Sequence, residues 1–102
     1  MRLYNIQIDK DALQDIQEAT DWYNKAGKGL GTRFQKQVKA QINTLSKSPL
    51  VYGIRYSTVR CMLIKKFPFL VHFTADEKTL LIKVFGVFHT SRNPEIWKTR
   101  KH

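Results

Sequence analysis

A chain of 102 residues falls in the size range of one domain, long enough to bury somewhat over ~60% of its unfolded surface around a single core. Its 42% hydrophobic and 25% charged residues exclude a disordered or collagen-like chain, and its longest uncharged apolar run, "FPFLVHF" at 67–73, is far below the ~20 residues of a membrane-spanning helix. The net charge of +10 points instead to a polyanionic partner, because the charge is segregated: no acid occurs from Trp22 to Ala75, where ten bases do.

The N-terminus has no apolar leader or small-residue cleavage site, and the single cysteine, Cys61, cannot form an internal disulfide. Both features lead us to expect a cytoplasmic protein of one domain, 1–102.

"RLYNIQI" at 2–8 alternates as a strand with one buried face. Asp9 reads as a helix N-cap. Ala12, Ile16, Ala19 and Tyr23 recur at helical spacing, with Leu13 and Trp22 widening the stripe, so a helix is expected over 10–25. Asp11 and Asp15 near its start suit the positive end of its dipole. "AGKGLG" at 26–31 lacks the spacing of a phosphate-binding loop. Gly27 is expected to end the first helix in a left-handed conformation, with a tight turn following. Leu30, Phe34, Val38, Ile42 and Leu45 form the apolar stripe of a second helix, which Pro49 stops near Ser46. Two amphipathic helices on a short turn make an antiparallel pair.

The second half, "VRCMLIKKF" (59–67), "PFLVHFT" (68–74) and "TLLIKVFGVFH" (79–89), is rich in branched and aromatic residues, as strands are. "ADEK" at 75–78 reads as a hairpin turn, and Lys66-Phe67-Pro68 must turn or bulge, since proline cannot donate within a ladder. The expected architecture is α+β: an N-terminal strand and an antiparallel helix hairpin packed on one face of an antiparallel β-sheet, followed by a short C-terminal helical tail. The opposite face is expected to be the more basic.

This order, with "DALQDIQEATDWYNKAGKGLGTRF", "VRCMLIKKFPFLVHF" and "IKVFGVFHTSRNPEIW", resembles the RelE/ParE superfamily of toxins of type II toxin-antitoxin systems. The His-x-x-Arg-x-Pro ending is similar to the ParE-like branch. The resemblance implies a small basic toxin wrapped by a cognate acidic antitoxin. Its target would be DNA gyrase for ParE-like members, or the ribosome with its mRNA for RelE-like members, which are metal-independent mRNA endoribonucleases. No cofactor, metal or membrane partner is implied.

Metal-free RNA cleavage needs a base, an acid and cations around the phosphate. Near the tail His89 is the only plausible acid or base, histidine being the side chain type suited to proton transfer at neutral pH, and Arg60 and Arg92 complete a catalytic set if the chain is a ribonuclease. Arg60, Lys65, Lys66, Lys83, His89, Arg92, Trp97, Lys98 and Arg100 are the candidates for binding target or antitoxin. Strand alternation places Lys83 in phase with His89, where it can flank it. Trp97 stands where ribonuclease members carry a tyrosine or histidine and cannot transfer a proton, and Asn93 stands where ParE-like members often carry an acid. His102, at the terminus, is a poor substitute. The His-x-x-Arg-x-Pro ending and the lack of a second proton-transfer residue put a binding toxin ahead of an enzyme.

The alternative for His89 and Arg92 is structural. His89 would hydrogen-bond the adjacent turn, Arg92 would pair with Glu95, and Pro94, Ile96 and Trp97 would dock a short helix on the core. For His89 this role outweighs catalysis. His72 reads as a packed or surface histidine, Trp22 and Tyr23 as packing residues, and Cys61 as buried and inert.

Overall fold

The structure, a computed structural model, describes residues 3–92 and residue 100. Strand β1 (Asn5–Ile8) leads into α1 (Lys10–Ala26) and α2 (Leu30–Thr44); a 3-10 turn (Pro49–Val51) then precedes β2 (Ile54–Tyr56), β3 (Val59–Leu63), β4 (Phe69–Asp76) and β5 (Leu81–His89). The five strands form one sheet in the order β1-β5-β4-β3-β2. β2 to β5 are antiparallel neighbours, as a chain with short links dictates. β1 runs parallel to β5, so the sheet is mixed rather than wholly antiparallel. The whole helix hairpin and three other strands separate β1 from β5, which leaves that pairing without a local signal. The expected tail helix lies outside the described residues.

Both helices lie on one face of the sheet. The stripe read from the sequence is the one buried there: Ala12, Ile16 and Ala19 from α1 meet Phe34, Val38 and Ile42 from α2 over Met62, Val71, Phe73, Ile82 and Val84. Tyr23 joins an aromatic group with Phe34, Phe67 and Phe69, at ring separations of 4.9 to 6.1 Å. Leu13 and Trp22 do not join the core; they are 52% and 65% exposed. They sit at the margins of the stripe, where widening it by one position turns the side chain outward.

Several junctions differ from expectation. Asp9 stands at the N-cap, but no side-chain cap bond forms. Its amide instead donates to Val84 O at 2.8 Å, extending the β1–β5 ladder. Gly27 is extended, and the left-handed residue is Gly29 at φ 79, the N-cap of α2. β4 runs through Asp76, so the hairpin turn falls later, where Asp76 Oδ1 accepts from the amides of Lys78 (2.9 Å) and Thr79 (3.3 Å). At the β3–β4 connection the chain does turn, with Lys66 left-handed at φ 71.

The face away from the helices is apolar rather than mainly basic. Val59, Cys61, Leu70, Phe85 and Phe88 form a second buried cluster there. His72 is wholly buried among them, its ring edge-on to Phe88 at 4.9 Å and its Nδ1 hydrogen-bonded with Tyr56 Oη at 2.9 Å. Burial pushes the Cys61 thiol up to about 11 and the Tyr56 phenol up to about 12, so Cys61 is no nucleophile at neutral pH. Burial, with the positive charges of Arg55 and Arg100, lowers His72 to about 4.

Two outcomes test this packing. The folded state holds His72 neutral down to about pH 4, whereas the unfolded histidine protonates near ~6.5. The stability it contributes is therefore complete above the unfolded value and lost as pH falls towards 4, on the order of 3 kcal/mol in all. Urea titrations from neutral to acid pH should show this loss, and in His72→Phe the slope should be flatter over the same window. Gly31 lets the helices approach closely: a Cβ there would overlap Thr20 O and the Asn24 side chain, whose Oδ1 accepts from the Gly31 amide at 2.8 Å. Gly31→Ala should cost about 2 kcal/mol, lowering Tm by about 10 °C. Gly53→Ala, with nothing within 4 Å of its Cβ, should leave Tm nearly unchanged in the same melt.

Candidate functional site

β1 pairs only with Leu81–Val84, so among the described residues no strand lies on the outer side of the second half of β5. Side chains close part of that edge. Asp15 of α1 accepts from the Val87 amide at 3.0 Å. Arg100 donates to Phe85 O at 3.2 Å and to both oxygens of Asp15 at 2.5 and 3.4 Å, and its guanidinium carbon lies 4.7 Å above the Phe88 ring. Asp15 is thus an edge residue of the sheet as much as a helix residue. Its sequence signal was an acid on the border of the Ala12–Ala19 stripe with no cation within a helical turn.

Past this ion pair the edge opens into a groove of about 270 Å³ between α1 and the end of β5. Ala19, Trp22 and Tyr23 form the helix wall, Phe69 and His89 the sheet wall, and Glu18 and Arg92 the rim. Trp22 touches Tyr23 edge-on at 5.1 Å and is otherwise presented to solvent. Trp22 was read from sequence as a packing residue; its heptad-like spacing gave no warning of its exposure.

His89 stands on this wall because of a one-residue bulge. His72 pairs with Gly86 and Phe73 with Val84, leaving Phe85 as the extra residue. Ile82 and Val84 face the helices before the bulge and Val87 after it, while Phe85 and Phe88 face the other way. His89 therefore shares a face with Val87, edge-on to Phe69 at 5.2 Å, and Lys83 is turned to the opposite face. The expected flanking of His89 by Lys83 does not occur: simple alternation places them together, and the inserted residue separates them. His89 Nδ1 accepts from the Ser91 amide at 3.0 Å and lies 2.7 Å from Ser91 Oγ. When neutral, the ring then carries its proton on Nε2, pointing away from the turn. The Arg92 amide donates to His89 O at 3.0 Å, so the tight turn brings the Arg92 side chain back beside the histidine. Among the described residues the Arg92 guanidinium has no partner.

The remaining candidates lie elsewhere. Arg60 donates to Tyr52 O at 2.6 Å and Leu50 O at 3.5 Å, tying the 3-10 turn to the sheet. It pairs with Phe73, two strands across and four residues along from His89, roughly 15 Å by strand spacing. Lys65 and Lys66 occupy the β3–β4 turn and are exposed. Arg100 is committed to Asp15, and Trp97 and Lys98 fall outside the described residues. No group of three His, Cys, Asp or Glu among the described residues could hold a metal, and no helix among them is long and apolar enough to cross a membrane. The structure thus brings His89 and Arg92 together with Trp22, and does not bring Arg60, Lys65, Lys66 or Lys83 to them.

Known structures share this fold. A chromosomal ParDE toxin-antitoxin system from P. aeruginosa superposes with a TM-score of 0.76 at 15% identity, over 87% of this chain and 98% of that one. The intact E. coli RelBE toxin-antitoxin complex gives 0.66 at 15% identity, covering 87% and 99%, and the RelBE2 complex from Mycobacterium tuberculosis 0.63 at 16%, covering 85% and 98%. At these identities the likeness is one of fold. No curated protein sequence matches. The model of the ParE toxin family, of type II toxin-antitoxin systems of the parDE kind, matches residues 6–94. With a match over most of its length and the fold to go with it, the chain belongs to the ParE toxin family of type II toxin-antitoxin systems.

Proposed function

We propose that this toxin arrests growth by binding an essential target, DNA gyrase, through the groove between α1 and β5, and that a cognate acidic antitoxin neutralises it by covering the same surface. The observation that carries the reading is the exposed Trp22 beside His89 and an Arg92 guanidinium that has no partner among the described residues. Tryptophan and arginine are the residue types that anchor protein interfaces. The net charge of +10 favours rapid encounter with an acidic antitoxin, and the superposable P. aeruginosa and E. coli structures are of toxin-antitoxin systems.

The ribonuclease alternative draws less support from the same geometry. It needs cations around one phosphate beside an acid-base group, yet Arg60 is bound to loop carbonyls far from His89 and neither lysine of the β3–β4 turn lines the groove that holds His89. His89 itself has one nitrogen engaged by Ser91.

Expression of the chain alone in a bacterial host should arrest growth while bulk mRNA stays intact. Purified protein should inhibit gyrase supercoiling, and Trp22→Ala and Arg92→Ala should each raise the half-inhibitory concentration about tenfold or more, as loss of an interface anchor does. Supercoiling untouched by excess folded protein would remove gyrase as the target. Rapid mRNA fragmentation that disappears in His89→Ala would replace the binding reading with the ribonuclease one.

A further inference from the structure

On the outer side of α2 lies a second concave surface, about 370 Å³, lined by Arg33, Lys36, Gln37, Ala40, Lys66 and Phe67. Arg33 and Lys36 are three positions apart and so share a helix face, and Lys66 reaches the same hollow from the β3–β4 turn. The turn is fixed from α2. Gln41 Oε1 accepts from the Lys65 amide at 2.7 Å, Gln41 Nε2 donates to Leu63 O at 3.0 Å, and Gln37 Nε2 donates to Gln41 Oε1 at 2.7 Å. This clamp holds Lys66 at φ 71, a left-handed backbone that glycine or asparagine adopts with less strain.

Among the described residues no carboxylate forms an ion pair with the cluster. The chain has no acid from Trp22 to Ala75, and among the described residues none of the three cations is ion-paired. The forked guanidinium of Arg33 with two ammonium groups is a donor set for phosphate oxygens. An acidic helix would also need apolar anchors at helical spacing. The exposed large hydrophobic residues of α1 and of the 3-10 turn, Leu13, Trp22, Leu50 and Val51, do not line this hollow, whose apolar members are Ala40 and Phe67.

We propose that Arg33, Lys36 and Lys66 form a site for the phosphodiester backbone of a nucleic acid. The site is separate from the α1–β5 groove and does not rest on the gyrase reading. Spaced cations without base-reading side chains bind such a backbone with little regard to sequence and with strong salt dependence.

The test is fluorescence anisotropy of the full chain with mixed-sequence duplex DNA and single-stranded RNA, at several salt concentrations. One or both should bind, and Arg33→Ala with Lys36→Ala should weaken binding about tenfold or more and reduce the slope of log K against log salt by about 2. Lys10→Ala with Lys78→Ala removes the same charge from elsewhere on the surface and should change binding far less. Lys66→Gly deletes a cation while relaxing the turn, so it should weaken binding yet raise Tm, which a misfolded variant would not do. Absence of binding to both nucleic acids at low salt would overturn the proposal. Equal losses in the two double variants would overturn it in favour of a diffuse field. Displacement by poly-glutamate as effective as by unlabelled nucleic acid would assign the cluster to an acidic protein instead.

Discussion

The outer edge of β5 is the constraint on which the rest of the molecule depends. β5 is buried on both faces and is flanked by β4 along its length, yet β1 covers only its first four residues. An unpaired strand edge is a template for unwanted pairing, and here the amide of Val87 and the carbonyl of Phe85 are taken by Asp15 and Arg100. Asp15 comes from the helical layer, so the bond that closes the sheet also sets the distance between α1 and β5. Where the closure ends, the helix and strand part and the groove begins.

The bulge at Phe85 decides what that groove contains. Without it, the side chains of β5 would keep one phase from Lys83 to His89, and the histidine would point into the apolar face occupied by Phe85 and Phe88. The extra residue exchanges the faces, sending His89 to the helix side beside Tyr23 and Phe69. Gly86 accompanies the bulge: the Phe88 ring lies 2.5 Å from where its Cβ would stand, so a larger residue would force the ring that carries the Arg100 guanidinium to move. Backbone irregularity, rather than residue identity alone, thus assembles His89, Arg92 and Trp22.

Legibility from sequence follows the range of the interactions. The stripes Ala12–Ile16–Ala19 and Phe34–Val38–Ile42, the stop imposed by Pro49 and the turn before Pro68 depend on neighbours within a few residues, and the structure carries each of them. The parallel β1–β5 pairing and the Asp15–Arg100 pair join residues more than seventy positions apart, where periodicity carries no information. Counting by twos along β5 fails at a single inserted residue, although Gly86 inside an apolar strand is the kind of residue that marks such a site. Trp22 shows a third limit. A large aromatic next to a core stripe reads as core, and only the placement of β5 leaves it outside.

Charge segregation connects the two surfaces. The acids of α1 and the bases of α2 sit on adjacent antiparallel helices, so the helical layer has an acidic flank along Asp11, Asp15, Glu18 and Asp21 and a basic flank along Arg33, Lys36 and Lys39. Their apolar faces are joined and their polar faces diverge. A partner entering the α1–β5 groove meets Glu18 and Arg92 at its rim, hence mixed charge around an aromatic anchor, which suits a protein surface. A partner approaching α2 meets cations alone, held by a glutamine clamp and a left-handed lysine. The two surfaces lie on either side of one aromatic group, Tyr23, Phe34, Phe67 and Phe69, so the same packed rings back both: Tyr23 and Phe69 line the groove, and Phe67 lines the hollow beside α2.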